Sequence, residues 1–286
     1  MHRGTGLLVI EVIGSNPNGD PDRESDPRVR PDERGEISPV SLKRKIRDLI
    51  EDKEGIVWKE IRGKFQPELD PAHFAILESR GRDREAIKKE IADGTFTNKY
   101  WDGRVFGNTF LEDKLSDHIR CGVVQFGLGL SIAPVRVERM TTTNKSGVQE
   151  GKDRGMAPLG FRVVEHAVYT MPFYVNASAA RKTGCTKRDI EVLQAVLPFA
   201  YSQTASYVRN TVEIRHAWYV EHKSPLGSVG DFAIVDALRP GKKTDPDLPS
   251  TSWRDYDVPA KLPDEIAARV SGLRDLMSEV YAAVGA

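Results

Sequence analysis

The chain has 286 residues, with 42 lysines and arginines against 42 aspartates and glutamates, and so a formal charge of zero. With 39% apolar and 29% charged residues it is too apolar for a disordered chain and too charged for a membrane bundle, and the balance argues against a histone-like basic binder or an acidic tail. Zero net charge leaves nucleic acid open, because binding depends on where the cations sit.

The first predicted element is a strand over residues 5–13, a leucine and β-branched run closed by Gly14. That run is interrupted by Glu11 and falls short of the about 20 residues of a spanning helix; it also lacks signal-peptide flanks. A cytoplasmic protein with no membrane partner is expected. Cys121 and Cys185 form no C-x-x-C pair and read as buried thiols of a reducing compartment. Residues 14–35, with Pro17, Gly19, Pro21, Pro27 and Pro31 among Asp and Arg, predict a loop. Ser38 and Pro39 then read as an N-cap and first helical position. Leu42, Ile46, Leu49 and Ile50 follow at helical spacing, predicting a helix to about Glu54.

Residues 55–99 read as an insertion with one helix over 84–92. Residues 123–135 return to strand composition, 139–160 predict an exposed hairpin arm, and 161–175 a further strand. Thr186 and Asp189 resemble a capping box opening a helix with Ile190, Leu193, Val196 and Leu197 on its apolar face. A strand over 211–220 follows, then a proline-rich linker and a C-terminal helix within 240–286, carrying Ile266, Val270, Leu273, Leu276, Met277, Val280 and Val284 on one face. This order predicts an α+β fold: one elaborated RNA-recognition-type, ferredoxin-like sheet with large insertions.

The candidate chemistry lies in two neighbouring segments. Asn16-Pro17-Asn18-Gly19-Asp20-Pro21-Asp22 is turn chemistry, and its carboxylates fail the calcium-loop spacing. Residues 41–47 carry Lys43, Arg44, Lys45 and Arg47 with no acid. Cations in the first turns of a helix oppose its dipole and call for an external anion, of which phosphate is the obvious one. The alternative is a solvated cationic face balanced by Glu51, Asp52 and Glu54. No dinucleotide fingerprint or Walker loop occurs, and the six histidines show no metal-ligand spacing, with His166 and His222 read as structural.

A first strand, then Gly14-x-Asn16-Pro17-Asn18-Gly19-Asp20-Pro21-Asp22, Pro27-Arg28, and Ser41-Leu42-Lys43-Arg44-Lys45-Ile46-Arg47-Asp48 resemble the backbone subunit of type I CRISPR Cascade complexes, of the RAMP superfamily, nearest its I-B and I-C branch. Asp102-Gly103-Arg104-Val105-Phe106-Gly107, Val124-Gln125-Phe126, Ser131-Ile132-Ala133-Pro134-Val135 and His222-Lys223-Ser224-Pro225-Leu226-Gly227 are similar to that family's later motifs. The chain departs from the family at Arg30, where aspartate is usual, and at Ser38-Pro39-Val40.

The resemblance implies a palm, a fingers-like insertion at 55–99 and a thumb-like arm at 139–160, in a subunit repeated as a filament along the spacer of a CRISPR RNA. The guide is left to pair with target DNA, beside a large subunit and a foot-binding RAMP subunit. It implies no catalytic residue, metal or cofactor. RNA contacts are expected from Asn16, Asn18, Gly19, Ser41, Lys43, Arg44, Lys45 and Arg47, with Arg28, Arg104 and Gln125 as further contacts. Arg139, Met140, Thr141, Thr142 and Lys145 would form the thumb. Two rival readings are a metal-dependent ribonuclease using Asp20, Asp22 or Asp153, as in the related type III branch, and a monomeric RNA-recognition module.

Overall fold

The computed structural model describes residues 1–79, 81, 83–108, 120–145 and 156–284. Its strands are β1 (Gly4–Ser15), β2 (Arg34–Ile37), β3 (Gly107–Asn108), β4 (Arg120–Cys121), β5 (Val124–Phe126), β6 (Gly129–Pro134), β7 (Val137–Lys145), β8 (Met156–Val175), β9 (Val212–His222), β10 (Gly241–Lys242), β11 (Tyr256–Asp257) and β12 (Val270–Asp275). The helices are α1 (Pro39–Glu51), α2 (Ile56–Gly63), α3 (Arg84–Ala92), α4 (Phe96–Lys99), α5 (Trp101–Phe106), α6 (Ala180–Thr183), α7 (Lys187–Val196), α8 (Asp231–Leu238), α9 (Asp264–Ala267) and α10 (Leu276–Val284).

The main sheet runs β12-β9-β1-β8-β6-β2, with β5 and β7 also paired to β8. Its centre, β9-β1-β8-β6, is antiparallel throughout. With α1 linking β1 to β6 and α7 linking β8 to β9, this is the fourth-first-third-second strand order of a ferredoxin-like α+β unit. β1 is buried on both faces over most of its length, which is why it reads as a near-continuous apolar run broken only by the buried Glu11. Leu8, Ile10 and Val12 join the core shared with Leu42, Ile46 and Ile50 of α1 and Ile190 and Leu193 of α7. Leu7 and Val9 face the other way, against Ile234, Val235 and Leu238 of α8 and against Tyr256 and Leu262. Each such side chain contributes roughly 1.5–3 kcal/mol when fully buried.

Helix α1 starts where its sequence signals it. Ser38 caps it by accepting from the Ser41 N–H, Pro39 occupies the first turn, and the Asn18 side chain accepts from the Ser38 N–H at 2.7 Å. The loop ahead of the helix is thus tied to its N-terminus. The capping box at α7 forms as its sequence predicts, with the Asp189 carboxylate accepting from the Thr186 N–H at 2.8 Å.

Four expectations are corrected. The single C-terminal helix does not form: β12 lies where its middle was expected and pairs with β9. Gly272 weakens a helix there, and the edge of β9 offers backbone partners. The linker is no free linker, because Trp253, Tyr256, Val258 and Leu262 pack beneath the sheet. The 55–99 insertion shares the main core through Trp58, Leu69 and Phe74, and holds α2 as well as the expected α3. Cys121 is exposed in β4, whereas Cys185 is buried as expected.

The arm is a two-stranded ribbon, with β7 and the first half of β8 in register from Val137 opposite Val164 to Lys145 opposite Met156. Its connection, with Lys152, Asp153 and Arg154, lies outside the described residues. No helix among the described residues is long and apolar enough to cross a membrane.

Candidate nucleic-acid interface

The α1 cations do not act as one stripe. Arg44 pairs with Asp48 and Glu51 and donates to the Glu78 carbonyl at 2.9 Å. Arg47 turns inward, its Nε donating to Asp102 Oδ2 at 2.8 Å and its guanidinium lying 5.1 Å from the Phe106 ring centre. Lys43 lies over the same ring at 5.3 Å and has no carboxylate partner among the described residues. Burial, and then the Arg47 charge, lower its pKa. Lys45 is buried on the opposite flank, donating to Thr204 Oγ1 at 2.8 Å.

Burial first, and then the Arg209 charge, lower the Lys45 pKa from 10.5 to about 8, against the opposing pull of Asp48. Lys53, which donates to the Phe74 carbonyl at 2.7 Å, is likewise lowered by burial to about 8. Between pH 8 and 10.5 the unfolded chain therefore holds protons that the folded chain has released at these two lysines, so stability rises with pH in that window. Buried Tyr169, Tyr201 and Tyr219 have phenols held above their ordinary 10, which reverses the trend beyond about pH 10. Urea unfolding across this range is expected to show the rise and then the fall, and Lys45→Met should make the rise shallower.

The motif around Arg104, a residue expected at the RNA, is structural instead. Asp102 is fully buried and accepts from the Leu77 N–H at 2.6 Å as well as from Arg47. Arg104 spends its donors inside the protein, on both Asp189 oxygens and on the carbonyls of Thr97, Asn98 and His73. The expected RNA contact at Arg104 is thereby corrected, since a guanidinium with every donor used has none for a phosphate. The glycine ending this motif, Gly107, has φ +82°, and a Cβ there would lie 2.3 Å from the Arg120 carbonyl. The late motif is also a brace: buried His222 lies 3.0 Å from Thr5 Oγ1, and the Ser228 N–H donates to its Nδ1. His166 bridges Glu11 and Ser250 at 3.2 and 2.8 Å.

The remaining candidates gather around the loop before α1. Asn16 Nδ2 donates to the Ser25 carbonyl at 2.7 Å, and Gly19 lies so close that a Cβ would come within 2.8 Å of the same oxygen. Arg28 donates backbone to the Asn18 carbonyl and pairs weakly with Glu36 at 3.5 Å. Ser41 is half-buried in the first turn of α1. Asp20 caps a turn by accepting from the Asp22 N–H, and no cluster of three or more metal-ligating side chains exists among the described residues. Gln125 stands apart, exposed on β5 and donating to the Gly122 carbonyl. Arg139, Met140 and Thr141 are exposed on β7, and Thr142 and Lys145 follow on that strand.

The fold joins this loop to the arm through residues the motifs did not single out. Arg162, at the arm's base, pairs with Asp26; Phe161 meets Tyr207 edge-on; Asn16 N–H donates to the Val208 carbonyl at 2.7 Å. An aromatic followed two residues later by arginine, in an otherwise polar turn, was the available signal. By contrast, the sheet face away from α1 and α7, the one an RNA-recognition fold ordinarily offers to bases, is sealed by α8, Tyr256 and Leu262.

A ferredoxin-like palm with a covered sheet face, a ribbon arm and a polar loop locked to α1 defines an elaborated RNA-recognition-type protein. The chain belongs to the family described as CRISPR-associated protein Cas7, whose profile matches residues 2–261. Among solved structures it is similar to a chain of a pre-nicking CRISPR RNA-guided surveillance complex, at 14% identity over 77% of this chain and 78% of that one, with TM-score 0.49. A second CRISPR RNA-guided surveillance complex matches at 17% identity over 84% and 77%, TM-score 0.44. A type III-B Cmr-beta complex bound to cognate target RNA matches at 12% identity over 77% and 61%, TM-score 0.41. No curated protein matches the chain.

Proposed function

We propose that this chain is the non-catalytic, guide-RNA-binding backbone subunit of a type I CRISPR interference complex, Cascade. Copies lie side by side along the spacer of the CRISPR RNA, hold its sugar-phosphate backbone between the arm and the loop before α1, and leave base edges for target DNA. Other Cascade subunits complete the assembly. Family membership supports the reading. The observation that carries it is the sealed sheet: with that face closed, this fold loses its ordinary place for reading bases, and Arg139 on the arm and Lys43 on α1 remain for a sequence-independent grip.

The corresponding test is the salt dependence of binding to several unrelated single-stranded RNAs. Affinities are expected to be similar across sequences, and Lys43→Ala with Arg139→Ala should reduce the slope of log K against log salt by about 0.7 per lost phosphate contact. Strong sequence preference, or an unchanged slope, would refute the grip. Incubating the loaded complex with complementary RNA and magnesium tests the ribonuclease reading: cleavage abolished by Asp20→Ala, Asp22→Ala or Asp153→Ala would establish it.

A further inference from the structure

The turn over residues 202–211 carries an exposed aromatic ring and an arginine that no carboxylate among the described residues neutralises. Tyr207 is 60% exposed and is met by Phe161 at 5.5 Å in an edge-on contact, so most of the ring faces solvent. Arg209 is fixed at one end, its Nε donating to the Asn16 carbonyl at 3.1 Å, and it has no carboxylate partner among the described residues. Its charge instead acts against Lys45, whose ammonium donates to Thr204 and lies 5.1 Å from the Tyr201 ring centre. Asp48 offsets part of the Lys45 charge, whereas Arg209 has no carboxylate partner among the described residues, so an arriving anion relieves the repulsion between the two cations. The Asn16 N–H bond to the Val208 carbonyl pins the turn between the two residues, and Arg162 stands beside Phe161 in the sequence.

A π face and an unpaired guanidinium two residues apart supply what a single-stranded nucleotide needs: a surface for the base and a cation for its phosphate. Acidic protein would satisfy the cations and leave the exposed ring unexplained; RNA uses both. We propose that Tyr207 and Arg209 form a nucleotide subsite for single-stranded RNA at the base of the arm, one base stacking on Tyr207 and one phosphate on Arg209. The proposal rests on the guide-binding reading above and adds to it a site on a turn that the family-like motifs do not include.

The test uses the full chain and single-stranded RNA carrying 2-aminopurine at successive positions, whose fluorescence falls on stacking. Wild-type protein should quench the label at particular positions. Tyr207→Leu, which keeps an apolar side chain against Phe161, should abolish that quench and weaken binding roughly five- to 150-fold, while Tyr207→Phe retains both. Arg209→Gln should keep the quench and reduce the salt slope by about 0.7. Unchanged quenching and affinity in Tyr207→Leu would overturn the subsite and leave guide binding standing, as would equal loss in Tyr207→Phe, which would assign the effect to the hydroxyl. Wild-type chain that binds no RNA would overturn both readings.

Discussion

Replacing Asp189 with alanine is expected to cost the fold about 3–5 kcal/mol, read as a lowered urea midpoint, because it strands a buried guanidinium. Arg104 places its Nε at 3.2 Å from both Asp189 oxygens, and the pair is almost entirely shielded, with 7% and 3% of the side chains exposed. The same carboxylate closes the capping box of α7, accepting from the Thr186 N–H and hydroxyl, so one substitution removes a charge partner and a helix cap together. Asp189→Asn keeps an acceptor for the cap and loses the charge, so an intermediate cost is expected. Against a total stability of about 5–15 kcal/mol, even the lower figure is a large fraction. A midpoint unchanged in Asp189→Ala would show that the clasp between α5 and α7 is not what holds the insertion to the palm.

Arg47→Ala should produce a comparable loss of stability and almost no change in the salt slope of RNA binding. Its partner Asp102 is fully buried and accepts from the Leu77 and Glu78 N–H groups, so removing Arg47 leaves a buried carboxyl group without its ion-pair partner. A reading of the sequence alone predicts the opposite: Arg47 is one of four cations in seven residues and looks like a phosphate contact. Lys43 is the internal control, since it shares the Phe106 face with Arg47 yet has no carboxylate partner among the described residues. Lys43→Ala should therefore change the slope while leaving the urea midpoint nearly in place. A reduced slope in Arg47→Ala, with stability intact, would return that arginine to the RNA.

Most of the palm was legible because local signals and tertiary structure agree there. The N-cap of α1, the capping box of α7 and the apolar faces of both helices are written in short-range spacing. What was not legible depends on partners far away in the chain. Val270 and Leu273 fit a helical pattern and instead form an edge strand, because β9 offers hydrogen bonds that no periodicity reveals. The prolines and aspartates of 240–259 look like a linker, and Trp253 and Tyr256 within them cover the sheet. The site shows the same division. The loop before α1 could be read from its Asn, Gly and Asp residues, and Asp48 and Glu51 on α1 itself offer partners for Arg44, while the fates of Lys45 and Arg47 were decided by Thr204 and Asp102, which lie elsewhere in the sequence. Likewise Arg104 looked like an RNA contact because nothing near it in sequence announces Asp189 as its partner.

The neutral total of the chain also follows from this arrangement. Several of its cations are matched internally, among them Arg44, Arg47 and Arg104, whereas Lys43, Arg139 and Arg209 are among those with no carboxylate partner among the described residues. A subunit that stacks against its own copies gains from such a distribution, since near-neutral bodies repel little while local cations track the guide.

The central claim is that many copies coat one RNA irrespective of its sequence, and the mass of the protein assembled on single-stranded RNAs of increasing length tests it most directly. The expected result is a stepwise increase, with copies added in proportion to length and the same steps for unrelated sequences. One copy per RNA at every length, or steps that appear with only one sequence, would contradict it.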